Sequence, residues 1–268
     1  MTNVLYEMQE GVARLTLNRA QAHNALSIEA LRELRARIGE ARDDDAVRVL
    51  VITGAGEKAF CAGADLKGAP AVSASYAQGL FASTEIATNL GVYVRLMDLS
   101  ELQLHKPMIA AINGYCLGGG LELALQCDMR IASTTASFGL PEAAVGSVPG
   151  VSGVHRLLRA VPAAHAMQMA LTGERIDATQ AQQMGLVSEL CAPADLMDRA
   201  TALASRIAAN APLAVQAIKR LARSTAHLSD ADAQQLTELY WGTLRDSVDR
   251  REGKEAFAQR RAPRFVGA

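Results

Sequence analysis

The chain has 268 residues, half of them apolar and 21% charged, enough to bury a full core as one large domain or one domain with an appendage. With 27 basic and 28 acidic residues the formal net charge is −1, so no bulk field favours nucleic acid or an anionic membrane, and an aromatic content of 4% weakens any stacking role on single strands. No apolar run approaches the roughly 20 residues that span a bilayer, and the opening "MTNVLYEMQE" has neither the basic nor the apolar region of a secretory signal. Cys61, Cys116, Cys127 and Cys191 lie far apart without C-x-x-C spacing. That pattern argues against a zinc site and predicts reduced thiols in a cytoplasmic chain.

In chain order, "VLYEMQEGVARLTLNR" predicts two short strands around a turn at Glu10-Gly11, with Val12, Arg14 and Thr16 alternating against Ala13, Leu15 and Leu17. Ser27 can cap a helix in which Leu31, Leu34 and Ile38 follow helical spacing, ending near "RDDD". "VRVLVITG" reads as a buried strand stopped by Gly54 and Gly56. Residues 68–105 predict a long, mostly helical segment opened by "GAPAVSAS". "PMIAAING" is another strand, and "GGGLELALQCD" a turn feeding a helix. "MRIAS" and "ASFGL" follow as short strands, with the turn "PEAAVGSVPGVSG" behind them. From residue 153 the pattern is helical, with Gly173 and Gly185 as stops and Pro193 and Pro212 as starts. The expected division is a mixed body over residues 1–200 and a helical part over 201–268. Alternating strands and helices favour an α/β fold.

Two stretches, "VLVITGAGEKAFCAGADLK" and "MIAAINGYCLGGGLELAL", share one plan: a buried strand, a glycine turn, then a helix start. Such a turn exposes unpaired backbone N–H groups at the positive end of a helix dipole, where negative charge on an oxygen is stabilised. Neither G-x-G-x-x-G nor the P-loop pattern occurs, so dinucleotide and nucleotide phosphate sites lose their fingerprints. Glu122 falls in a first helical turn, where a carboxylate also serves the dipole for ~0.3–1 kcal/mol. Glu142 follows a proline in the apolar "SFGLPEAAVG". Two such acids facing one cavity divide general-base and general-acid work, with burial raising their pKa values.

The set "AFCAGADLK", "KPMIAAINGYCLGGGLELALQCDMRIAS", "FGLPEAAVGSVPG" and "LTGERIDATQAQQMGLV" resembles the enoyl-CoA hydratase/isomerase (crotonase) superfamily. "VARLTLNRAQAHNALS" and "REGKEAFAQRRAPRF" extend the resemblance to both ends of the chain. The resemblance implies a spiral of β-β-α turns followed by a helical trimerisation region, assembled as a homotrimer or a dimer of trimers. It implies an acyl-coenzyme A substrate and no cofactor beyond the coenzyme A of that thioester. The thioester oxygen would sit between the N–H groups of Ala64 and Gly119. Loss of one such donor is expected to cost on the order of 10²–10³ in rate. Glu122 would activate the water that attacks Cβ, and Glu142 would deliver the proton to Cα. Ala62 and the run Ala64, Asp65, Leu66 and Lys67 would follow the coenzyme A moiety, with Lys67 at its phosphates. Arg260 would reach it from a neighbouring subunit.

The sequence also departs from the pattern that it resembles. Residues 68–105 are longer than in short-chain hydratases and offer Tyr76, Phe81 and Tyr93 over the acyl pocket, which hints at a bulky acyl group or at packing at a subunit contact. "NRAQAHNALS" lacks the proline usual after "NR", and "PGVSGVHRL" replaces the commoner "PGAGGTQRL", so His155 either reaches the site or is a helix-surface or core histidine, the reading the residues favour. The expected activity is hydration of a 2-enoyl-CoA. An isomerase, hydrolase, decarboxylase or hydratase–lyase of the same fold, or a non-catalytic RNA-binding member, is the alternative.

Overall fold

The computed structural model describes residues 2–65 and 76–268, with Tyr76 described by its backbone. The chain opens with β1 (Val4–Gln9) and β2 (Val12–Leu17), an antiparallel hairpin. Its turn places Glu10 at φ 50° and Gly11 at φ 81°, the positive angles that match strand twist in a two-residue loop. The Ser27 Oγ then accepts the Ala30 N–H at 3.2 Å and starts α1 (Ile28–Asp43). Leu31, Leu34, Ile38 and Ala41 of that helix face the core, where full burial of each large side chain contributes ~1.5–3 kcal/mol.

Next come β3 (Val49–Gly54) and β4 (Ala59–Cys61), then the short helices α2 (Tyr76–Leu80), α3 (Thr84–Asn89) and α4 (Val94–Met97). A second turn of the chain repeats the order with β5 (Met108–Ile112), β6 (Tyr115–Leu117) and α5 (Gly119–Gln126). The third supplies β7 (Met129–Ser133) and β8 (Ser137–Gly139), a 3-10 turn over Pro141–Val145, α6 (Gly153–Ala160) and α7 (Ala163–Thr172). After β9 (Ile176–Asp177), α8 (Ala178–Gln183) and β10 (Glu189–Cys191), the chain is helical: α9 (Leu196–Ala208), α10 (Pro212–Thr225), α11 (Asp230–Arg245) and α12 (Val248–Gln259).

The first strand of each turn joins one sheet, ordered β1-β2-β3-β5-β7-β10, and the second joins another, ordered β4-β6-β8-β9. From β2 to β10 the larger sheet is parallel. Both its faces are covered, as parallel sheets require. Leu50 and Ile52 of β3 enter the main core with α1, whereas Val49 and Val51 meet Leu196, Ala200 and Ala204 of α9. Alanines at every fourth position let α9 lie close against the sheet. These β-β-α turns are the spiral that the resemblance implied.

The described part of the segment before residue 105 is mostly helical, as expected, in short pieces α2, α3 and α4 separated by turns; "GAPAVSAS" lies outside the described residues. Arg95 reaches back to the carbonyls of Leu80 (2.6 Å) and Ala82 (2.8 Å), holding those turns folded. One expectation needs correction: the region after residue 153 is not purely helical, since β9 and β10 complete the two sheets. Cys61, Cys116 and Cys127 are buried free thiols, and burial pushes Cys61 and Cys127 up to about 12. No helix among the described residues is long and apolar enough to cross a membrane.

Candidate active site

The glycine run that ends β6 and starts α5 packs directly on the loop after β4. Leu26 donates to Gly63 O (2.8 Å) and accepts from Asp65 N (3.0 Å) in a parallel bridge, which turns the Ala64 N–H the other way. Gly119 is the first residue of α5, so its N–H has no carbonyl one turn earlier in the helix. Neither amide donates to an acceptor among the described residues. They are neighbours: a Cβ on Gly63 would stand 3.3 Å from Gly119 N, and one on Gly119 would stand 3.4 Å from Ala64 N. The same added Cβ on Gly119 would overlap Met97 Cε, and one on Gly120 would overlap the Cys61 carbonyl oxygen. The bare glycines are therefore the means by which two backbones approach closely enough to bring two unpartnered donors side by side.

Glu122 projects from the first turn of α5 and is 3% exposed. Its Oε1 accepts the Val151 N–H at 2.6 Å and the Gly153 N–H at 3.1 Å. Burial raises its carboxyl above the ordinary range; the Val151 and Gly153 donors pull it back, and the nearby Glu142 adds to the rise. Glu142, half-buried in the 3-10 turn, is raised by burial, and its Oε2 is buried without a hydrogen-bond partner. A Cβ on Gly118 would lie 2.9 Å from Glu142 Oε1, which sets this acid against the glycine run. The two acids thus sit in different settings. One oxygen of Glu122 is served by two N–H groups and one oxygen of Glu142 is buried with none, while burial raises both carboxyls.

Over this cluster lies the chain from Tyr93 to Leu99. Tyr93 is half-buried near Glu122, which together with burial raises its phenol. Phe81 is 93% exposed, the Tyr76 side chain lies outside the described residues, and His155 is exposed on α6. Asp65 pairs with Arg19 at 2.8 Å, and Arg19 also donates to Ala25 O at 2.6 Å, pinning the loop that carries Ala64. Ala62 is exposed and donates to His23 O at 3.0 Å. Leu66 and Lys67 lie outside the described residues. Arg260 is the exposed, left-handed C-cap of α12, and its backbone bond stays within that helix, so a single chain does not join it to the cluster. Sequence reasoning missed Met97, Gln126 and Asn24. Only the apolar context of Gln126 and Asn24 marks them in the sequence, and Met97 carries no mark at all.

The chain matches the profile of the enoyl-CoA hydratase/isomerase family over residues 7–268 and belongs to that family. Among its relatives, the (E)-benzylidenesuccinyl-CoA hydratase of Thauera aromatica is 44% identical over 265 residues, covering 99% of both chains. The 2,3-dehydroadipyl-CoA hydratase of Escherichia coli (strain K12) is 41% identical over 269 residues, covering 100% of both. The crystal structure of an enoyl-CoA hydratase from Bacillus anthracis superimposes with a TM-score of 0.88 at 34% identity, covering 99% of this chain and 100% of that one.

Proposed function

We propose that this chain is an enoyl-CoA hydratase, adding water in syn fashion across the Cα=Cβ bond of a 2-enoyl-CoA thioester. The observation that carries the reading is two unpartnered, neighbouring amides, Ala64 and Gly119, in one glycine turn with a buried carboxyl, Glu122, and a half-buried one, Glu142. The thioester oxygen accepts both N–H groups. As water attacks Cβ, its proton passes to Glu122, and the π electrons move through Cα onto that oxygen as an enolate. Glu142 then gives its proton to Cα, and the carbonyl re-forms. We assign the base role to Glu122, whose Oε1 is served by two N–H donors, and the acid role to Glu142, whose Oε2 is buried without one; burial raises both carboxyls. Exchange of one proton between the pair and solvent resets the site. The two acids titrate together.

Coenzyme A enters as part of the substrate, and the mechanism calls on no further cofactor. On this reading Ala62 and Ala64 through Lys67 follow the coenzyme A moiety, and Arg260 meets it from a neighbouring subunit. Residues 1–200 then form the catalytic body and 201–268 the assembly region of a cytoplasmic homotrimer or dimer of trimers. The support is the exposure of large apolar side chains on the C-terminal helices, Ile218, Leu239, Trp241 and Phe257. Incubation with a panel of acyl-CoA thioesters, read by mass, tests the activity. A gain of one water supports hydration. An unchanged mass with a shifted double bond, release of free coenzyme A, or no turnover refutes it.

A further inference from the structure

We infer that Gln126 is a positioning residue that ties the segment Met97–Leu99 to the helix carrying Glu122, so that the wall over the amide pair and the acid are set as one piece. The inference rests on the hydration reading above. Gln126 lies one turn after Glu122 and is 4% exposed. Its Nε2 donates to Met97 O at 2.9 Å and to Glu122 O at 3.3 Å, and its Oε1 accepts the Leu99 N–H at 2.8 Å. Each polar atom of the amide is thereby used, and two carbonyls beside one N–H leave a single orientation that satisfies all three partners.

The contacts close a ring. Met97 places its Cε against Gly119, the residue whose N–H is one of the two donors. Val94, one turn earlier in α4, has its Cγ1 3.0 Å from where a Cβ on Gly150 would be. The next residue, Val151, holds Glu122 Oε1. From Glu122 the chain of contacts returns through its own carbonyl to Gln126. Further anchors of the segment are Arg35 of α1, which donates to Asp98 O at 2.6 Å and Leu96 O at 3.3 Å, and Arg156 of α6, 3.7 Å from Asp98 Oδ1. The segment pairs with neither sheet, so these side-chain bonds hold it in register. An apolar residue at 126 would leave the buried Leu99 N–H and Met97 carbonyl unpaired, and the wall would shift to rehydrate them.

The test is Gln126→Met, which keeps length and removes all three bonds. With the wall released, kcat should fall and the kcat/KM ratio of long- against short-chain 2-enoyl-CoA should change, each by about tenfold, while the Kd for free coenzyme A stays unchanged. A kcat and a chain-length ratio both within about twofold of the parent would overturn the inference. Deuterium exchange supplies a readout independent of catalysis: the Leu99 amide should exchange faster in Gln126→Met while the β5 amides do not change, and equal Leu99 exchange in both proteins also overturns it. If the variant does not fold, the parent decides. Its Leu99 amide should be protected to the level of α5, and exchange at the rate of an exposed loop refutes the tie. A parent that hydrates no 2-enoyl-CoA sinks the hydration reading instead, and the exchange result still stands on its own.

Discussion

The carboxylate of Glu122 is held by the backbone of Val151, 29 residues further along the chain, through a 2.6 Å bond from the Val151 N–H. One acid is thereby fixed by the loop that follows the turn bearing the other. Removing each carboxylate should separate chemistry from folding. Glu142→Gln should lower the hydration rate by about 10²–10⁴ with the circular dichroism spectrum and coenzyme A binding retained. Glu122→Gln should lose as much rate with the fold retained, because its amide oxygen can still accept the Val151 and Gly153 N–H groups while no base remains. The loss of enoyl-thioester absorbance measures both, and near-parental hydration by either variant removes the assigned roles.

Adjacent glycines should fail in different ways. Gly119→Ala overlaps the flexible end of Met97, so the fold should survive while the added methyl crowds the amide pair and lowers kcat by roughly 10²-fold. Gly120→Ala meets the Cys61 carbonyl, which is backbone and cannot step aside, and should cost about 1–3 kcal/mol or more in urea unfolding. Equal effects of the two substitutions on stability would contradict the packing described for this turn.

Burial raises the Glu142 carboxyl above its ordinary value of 4.5. Between that value and the raised one, the folded protein binds more protons than the unfolded chain, so stability falls as pH rises through the window. Glu142→Gln does not ionise and escapes this loss. The Tm difference, variant minus parent, should therefore grow in the variant's favour from pH 4 upward and level off above the raised value. A difference that does not vary with pH would mean that the carboxyl is not desolvated in the fold.

Asn24 is a buried polar tie beside the loop that carries Ala64. Its Nδ2 donates to Ala59 O (2.7 Å) and Ala55 O (3.0 Å), and its Oδ1 accepts the Arg19 N–H (3.0 Å). Asn24→Ala strands these groups and should lower stability by about 2–3 kcal/mol, with kcat/KM falling as the loop around Ala64 loosens. Thermal unfolding and steady-state kinetics on one preparation measure both, and a change under 0.5 kcal/mol, at the scale of a surface substitution, would refute the tie.

Much of this architecture is legible along the chain because its signals are local. The hairpin at Glu10-Gly11, the Ser27 cap, β3, β5 and the glycine-headed α5 each depend on neighbours a few residues apart. The smaller sheet is not legible. Its strands β4, β6, β8 and β9 have two or three residues each, too few for alternation to register, and β8 alone is readable as a strand. The motifs also placed Ala64, Gly119, Glu122 and Glu142 in one site by resemblance, ahead of any geometry.

What the sequence determined by itself was the α/β class, the order of the elements and the identity of the chemical groups, because propensity, glycine turns and residue type are properties of short stretches. Tertiary structure alone decided that the Ala64 and Gly119 amides are neighbours, that Val151 and Gly153 hold Glu122, and that Gln126 grips residues 97 and 99. Each of these joins groups dozens of residues apart. Their meeting depends on the register of two sheets and on burial that leaves a polar group no solvent partner, and neither quantity exists until the chain has closed on itself.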